Sequence, residues 1–403
     1  MAQPSLILHN TSALTMDAAH PRAEAVALAG NRILAVGSNA EVLALAGPET
    51  RLVDGQGATL LPGFVESHIH LFSGGAGLTQ LQLKGVAGRE ALAAALTAYA
   101  ATKPAERLLI CQGAAYNLLG EHIRLDRHRL DAILSERPVI VMAYDFHTAW
   151  ANTAALEQAG LLQGRDVGDG NEVVLGADGL ATGELREKNA FLPVLGLRSS
   201  GGREMLGMTG TEPHPPATAQ ERADDIAMIT AGLQHCAAAG ITTIHNMDGN
   251  RYTLELLSQI EAAGGLLCRV EVPFHLTAEK PLASLDDAVQ MAADYKSDML
   301  KSGRVKVFCD GVIESGTALF LDDYADRPGW KGEALFGPEK FRQAAIEIDR
   351  RGLQISVHAI GDGAVRLVLD GYEAAELANG RRDSRHRIEH VEVIHPDDVP
   401  RFA

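Results

Sequence analysis

The chain has 403 residues, with 36 Lys plus Arg against 52 Asp plus Glu and a net charge of −16. An acidic surface repels phosphate backbones, which excludes nucleic acid and anionic membranes as main partners. Hydrophobic residues make up 46%, enough for a large core, so most of the chain is not disordered. At roughly 150 residues per domain, two or three domains are expected.

The N-terminus carries no Lys or Arg before Arg22 and has one short apolar run, so it does not read as a signal peptide. No stretch approaches the ~20 apolar residues of a membrane span. Cys111, Cys236, Cys268 and Cys309 are scattered with no CxxC pair. That pattern fits reduced core thiols in a cytoplasmic protein.

Residues 1–57 are short β-prone runs separated by turns (SLILHN, SALTM, AEAVALAG, NRILAVGS, TRLVDG). Gly30 and Asn31 between two apolar runs read as a tight hairpin turn. A short helical piece falls at residues 40–46, and the whole reads as a small β-sandwich. Residues 58–71 (ATLLPGFVESHIHL) are an apolar strand ending in polar residues.

Residues 72–217 are too long for one βα connection. They hold a helix (REALAAALTAYAA), a strand (RPVIVMAYD) and turn-rich loops, and read as an inserted lid region. From 218 to 403, apolar strands alternate with amphipathic helices. A helix over 218–239 places Ile226, Ile229, Leu233 and Cys236 on one face. Strands follow at 240–246, at 267–276, and in RVKVFCDG, LQISVHAIGDG and HRIEHVEVI, with helices after each and the last beginning at Pro396. Such βα alternation predicts an α/β fold with a parallel sheet and right-handed crossovers. Polar residues at the strand ends favour a (β/α)8 barrel, whose active site lies at that end. Six barrel strands are counted and the last two βα units are absent. Edges left at strands one and six are expected to lower solubility.

His68 and His70, two apart at a strand end, point to the same side, as a metal requires of one strand. His358 and His390 end two later strands, and Lys306 lies on the strand before them. All five would converge on one barrel mouth.

LPGFVESHIHL, KVFCDG, VHAIGDGA and RIEHVEV together resemble the metal-ligand motifs of the amidohydrolase superfamily. The likeness is greatest to the branch with the N-substituted formamide deformylases, and more distant to D-aminoacylases. DFHTAWANTAAL and ATGELREK look like that branch's inserted region. The resemblance implies two divalent cations, usually zinc. His68 and His70 would hold the more buried ion, His358 and His390 the other, with a carboxylated Lys306 as bridge. It implies hydrolysis of a C–N bond in a small N-acyl or N-formyl amide by a metal-activated hydroxide. It places His147 and Trp150 as substrate-binding candidates, with structural packing as their alternative. A homo-oligomer is left open. The superfamily's Asp at the end of strand eight has no counterpart, since Asp397 and Asp398 read as the acidic first turn of a helix.

Two other functions are weighed. A mononuclear deaminase of the same superfamily would not need Lys306, and a non-catalytic protein keeping the fold would not need the strand-eight Asp. Lys306 itself, flanked by Val305 and Val307, is costly as a bare ammonium on a buried strand. Its neutral amine would react with carbon dioxide to a carbamate, and the plainer alternative is a carboxylate partner such as Asp310 or Glu314. Asp145, Asn152, Asp310 and Asp362 are weaker candidates, with turns and helix caps as the competing roles. His235 and His245 read as structural histidines, and His214 as loop. The glycine-rich GDGNE near 168 follows no strand and opens no helix, so it is not a phosphate loop.

Overall fold

The computed structural model describes residues 3–104, 106–168, 171–313 and 316–402. The chain divides into two compact units, Met1–Val65 with Gly240–Thr242, and Glu66–Ala239 with Thr243–Ala403. No described helix is long and apolar enough to cross a membrane. All four cysteines are buried and none forms a disulfide.

The first unit holds two small sheets. One has the order Arg32–Gly37, Ala25–Ala29, Leu6–His9, Arg51–Asp54; the other is Arg22–Ala23, Ser12–Leu14, Thr59–Leu60. Ile7, Ala25, Ala27 and Val42 form its core. Ala29 pairs with Arg32 across the hairpin, and Gly30 takes φ +58° there, a conformation open to glycine without a Cβ penalty.

In the second unit, the segment after His70 builds a six-stranded sheet of its own. Its order is Glu172–Leu175, Ala181–Arg186, Thr148–Ala151, Val139–Ala143, Leu109–Ala114, Leu81–Gln82. Val139–Ala143 is buried along its whole length. Ile140 and Met142 enter one apolar cluster and Val139, Val141 and Ala143 another. A strand covered on both faces reads as a continuous apolar run instead of an alternating one.

Six further strands carry the βα alternation: β1 (Phe64–Ile69), β2 (Ile241–Asn246), β3 (Arg269–Glu271, resuming as Phe274–His275), β4 (Leu300–Lys301, resuming as Arg304–Phe308), β5 (Gln354–Ala359) and β6 (Arg387–His390). The helices α1 (Ala219–Ala238), α2 (Arg251–Ala262), α3 (Leu285–Asp294), α4 (Pro338–Arg350) and α5 (Asp362–Asn379) connect them. Strands β2 to β6 pair in parallel in chain order, and β1 lies beside β2. Among the described residues no ladder joins β6 to β1, and the six strands form an open arc.

Three expectations are corrected. The strand predicted over 267–276 is broken at Pro273, which has no N–H to donate. Val272 and Leu276 reach across the break to the carbonyls of Lys301 and Lys306, at 2.9 and 3.0 Å. The backbone at Gly249 passes so close to the break that a Cβ there would lie 1.7 Å from the Pro273 oxygen. The helix expected from Pro396 is a 3-10 segment, Pro396–Phe402, with Pro400 inside it. Asp397 and Asp398 stand in its first turn, and Asp398 is buried and ion-paired with Arg366 and Arg401 at 2.9 and 3.0 Å. Finally, Ile226 is half-buried and Asp225 takes the inner position on α1.

Asp225 is tolerated there because Arg203 donates to both its oxygens, at 2.7 and 3.1 Å, and Tyr252 donates a further bond. Burial and the Asp225 charge both push the Tyr252 phenol up. Removing one member of such a set strands the others without water. Asp225→Ala is expected to cost about 3–5 kcal/mol in urea unfolding. A loss below about 1 kcal/mol would mean that the pair carries none of the packing here.

Candidate metal centre

The inward face of the arc is polar. Alternation on β4 turns Arg304, Lys306 and Phe308 to one side, on β5 Ser356 and His358, and on β6 Arg387 and Glu389. His68 ends β1, while His70 stands just past it, at the N-cap of the helix Leu71–Gly77. The rings of His68 and His70 have centroids 5.5 Å apart, His68 and His390 4.9 Å, and His358 and His390 4.5 Å. Four of the five predicted ligands are thus in ring contact. Lys306 reaches the same region, its Nζ 5.0 Å from the Phe308 ring, whose centroid is 5.0 Å from that of His358.

His390 does not follow its strand. Alternation would put it opposite Glu389, yet His390 and Val391 take φ of +78° and +51°, sparsely populated for side-chain-bearing residues. The chain turns at that point, and the imidazole meets His358.

Hydrogen bonds fix the tautomers of three rings. His68 Nδ1 lies 2.9 Å from Glu389 and His70 Nδ1 2.7 Å from Asp248. A carboxylate accepts, so both Nδ1 atoms carry the proton and both Nε2 atoms are bare. His358 Nε2 donates to the Gly311 carbonyl at 3.0 Å, which leaves its Nδ1 bare. Burial drives His358 down to about 3, so its imidazole is neutral and able to act as a donor. Among the described residues, no three His, Cys, Asp or Glu side chains form a ready-made cage for one ion.

The other buried groups explain why the cluster is poised. Lys306 is 1% exposed and its Nζ has no hydrogen-bond partner. Burial lowers its ammonium to about 8, against the pull of Glu389 and Asp248. Asp310, suggested above as its partner, instead accepts from the backbone of Leu319, Ile360 and Gly361; Glu314 lies outside the described residues. Glu389, held by His68, Ser356 and Arg387, is lowered to about 2 despite its burial. Asp248 keeps one buried oxygen with no partner. A buried amine and a buried carboxylate oxygen without partners are what remains when a charged group belongs between them.

Asn152, Asp145 and Asp362 have structural tasks. Asn152 caps the helix Thr153–Gln158 and bonds Val139, Leu134 and Arg137. Asp145 accepts from Tyr116 and the His147 backbone. Asp362 holds the Leu321 backbone and neither caps nor orients. His235 is exposed on α1, while His245 accepts from Arg304 and Arg387. In GDGNE, residues 169 and 170 lie outside the described residues. His147 pairs with Glu187 at 3.0 Å. Trp150, 3% exposed, sits in the inserted sheet's core beside the Tyr116 ring. Next to Glu187, burial lowers the Lys188 ammonium, against the pull of the Asp248 charge.

Sequence reasoning missed Asp248, Glu389 and His275. The first two were signalled by HNMDGN after a strand and by the Glu of RIEH. His275, at the end of β3, donates through Nε2 to the Met247 carbonyl and stacks on Phe308; burial lowers it to about 4.

His275 and His358 stay neutral in the fold while an unfolded chain protonates near pH 6.5. Their contribution is complete above pH 6.5 and is lost as pH falls from there towards 4. Metal-free protein is expected to lose about 1.4 kcal/mol per pH unit per histidine well below pH 6.5, measured by urea titrations from pH 7 to 4.5. His358→Gln should flatten that slope; an equal slope in the variant would mean that His358 is not buried neutral.

The Amidohydrolase family model matches residues 51–403. The chain is 30% identical to Protein LONG AFTER FAR-RED 3 of Arabidopsis thaliana, over 99% of this chain and 66% of that protein. It is 24% identical to N-substituted formamide deformylase of Arthrobacter pascens, over 99% of this chain and 71% of that one. It thus spans about two thirds of the length of these curated relatives. An uncharacterized metal-dependent hydrolase from Pyrococcus horikoshii OT3 superposes with a TM-score of 0.72 at 23% identity, covering 98% of this chain and 72% of that one. A match over residues 51–403, which takes in all six strands of the arc, makes this chain a member of the amidohydrolase family.

Proposed function

We propose that the protein hydrolyses a C–N bond of an N-acyl or N-formyl amide at a centre of two divalent cations, zinc above others. The observation that carries this reading is the partnerless Lys306 Nζ, buried beside four histidines. The ring contacts run in one chain, His70 to His68 to His390 to His358, which the family resemblance divides into two pairs. Two sites of two imidazoles each, joined by one bridge, need no group of three. The name of the Arthrobacter relative supports the substrate class.

The chain's own groups prepare the centre. Glu389 and Asp248 hold the Nδ1 protons of His68 and His70, turning bare Nε2 atoms to the pocket. Lys306, destabilised as an ammonium, is nucleophilic once neutral. Its nitrogen bonds to the carbon of carbon dioxide, one proton leaves to solvent, and the carbamate supplies two oxygens for a bridge. Divalent cations bound there would polarise the amide carbonyl and lower the pKa of a water. His147, oriented by Glu187, is the substrate contact from the insert, and Trp150 backs it from the core.

Elemental analysis of protein purified without chelator is expected to find up to two divalent ions per chain. His68→Ala with His70→Ala should remove at least one. Lys306→Ala should remove at least one ion and amide turnover, with partial rescue by short carboxylic acids. A Lys306→Ala protein retaining both ions and full turnover would overturn the bridged centre.

A further inference from the structure

Below the histidines lies a second layer of charge. Arg387, two residues before Glu389 on the same face of β6, donates to Glu389 at 3.0 Å and to the Ser67 carbonyl of β1 at 2.7 Å. A third bond, of 3.0 Å, goes to His245 Nδ1. Glu389 is filled: Ser356 donates to one oxygen at 2.6 Å, and His68 meets the other. Arg304 belongs to the same layer, bonded to His245, Glu271 and Gln354 at 2.7, 2.9 and 2.8 Å. It makes no hydrogen bond to Glu389.

The His68 ring therefore depends on a carboxylate that has to stay in one place. Without a donor on its far side a buried carboxylate loses a hydrogen-bond partner and is free to swing away. A guanidinium suits the task because its fixed fork can hold a carboxylate and a carbonyl at once, which a single ammonium does poorly. By gripping Ser67, Arg387 also fixes the backbone from which His68 projects. Residues that orient a metal-binding histidine from behind tune affinity without touching the ion.

We propose that Arg387 is a positioning residue of the histidine cluster: it fixes Glu389, and through it the His68 imidazole, so that divalent-cation affinity depends on a guanidinium that contacts none of the four histidines. This rests on reading the cluster as a metal centre, and it adds Arg387 and Glu389 to what governs that centre.

The test measures zinc affinity of the full chain by competition with a chromogenic chelator, with thermal melting alongside. Arg387→Met is expected to weaken zinc binding by about 10–100-fold. Glu389→Gln, nearly isosteric, should show a loss of the same kind. The double variant should be no weaker than the worse single, because both act along one path. Arg304→Met is the control: it should lower the melting temperature and leave zinc affinity within about twofold, since Arg304 meets Arg387 only through their shared bond to His245 and makes none to Glu389 or Ser67. Unchanged affinity in Arg387→Met, with a melting loss like that of Arg304→Met, would make Arg387 a structural residue and overturn the proposal. Should Arg387→Met fail to fold, unchanged affinity in Glu389→Gln overturns it equally. A wild type that binds zinc and shows these losses but cleaves no amide sinks the hydrolase reading and leaves this inference standing. A wild type without zinc affinity sinks both.

Discussion

Everything in the second unit's inner face is arranged around a lysine nitrogen without a hydrogen bond. Lys306 is 1% exposed, and an isolated ammonium in that setting carries a large desolvation cost. The carboxylates of Glu389 and Asp248 attract it without bonding it, each having been given a histidine instead. The nearest compensation is the face of Phe308 at 5.0 Å, worth about 2 kcal/mol at best for a desolvated cation. The fold thus keeps a costly group and assigns its natural partners elsewhere. Structures keep such costs where the group has chemistry to do.

The polar layer behind that lysine follows the same logic. Arg304, Arg387, His245, Glu271 and Glu389 share hydrogen bonds, so no member is buried as a bare charge. A barrel of this class is ordinarily filled with branched apolar side chains. Here ions take that place, and rigidity has to come from directional bonds. One guanidinium nitrogen of Arg304 still lacks a partner, a sign of how tightly that layer is drawn.

Much of this was legible in the amino-acid sequence. Apolar runs with polar ends, alternating with amphipathic helices, identified the strands that carry His68, Lys306 and His358, and the run RPVIVMAYD identified a strand of the insert. What was not legible depends on pairs distant along the chain. Asp248 and Glu389 matter because of the imidazoles they meet, 178 and 321 positions away, and local pattern says nothing about that. His390 escaped its own periodicity through a positive φ, which a sequence of His and Val does not announce. Asp225 on the inner face of α1 broke the apolar stripe for the same reason: its compensation, Arg203, comes from another element. Pro273 was the opposite case. Its interruption of β3 was written in VEVPFHL and outweighed by the apolar residues around it.

The 321-residue separation between His68 and Glu389 also governs when the centre can exist. Closing a loop of that length costs entropy before any contact repays it, and long-range pairing is slow to form. On a ribosome, His68 and His70 emerge first, Asp248 follows 178 residues after His70, and Glu389 follows 321 residues after His68. His68 therefore waits, unoriented, long after its neighbour has met its carboxylate. Assembly of the cluster is a late event that registers the arrival of the sixth strand.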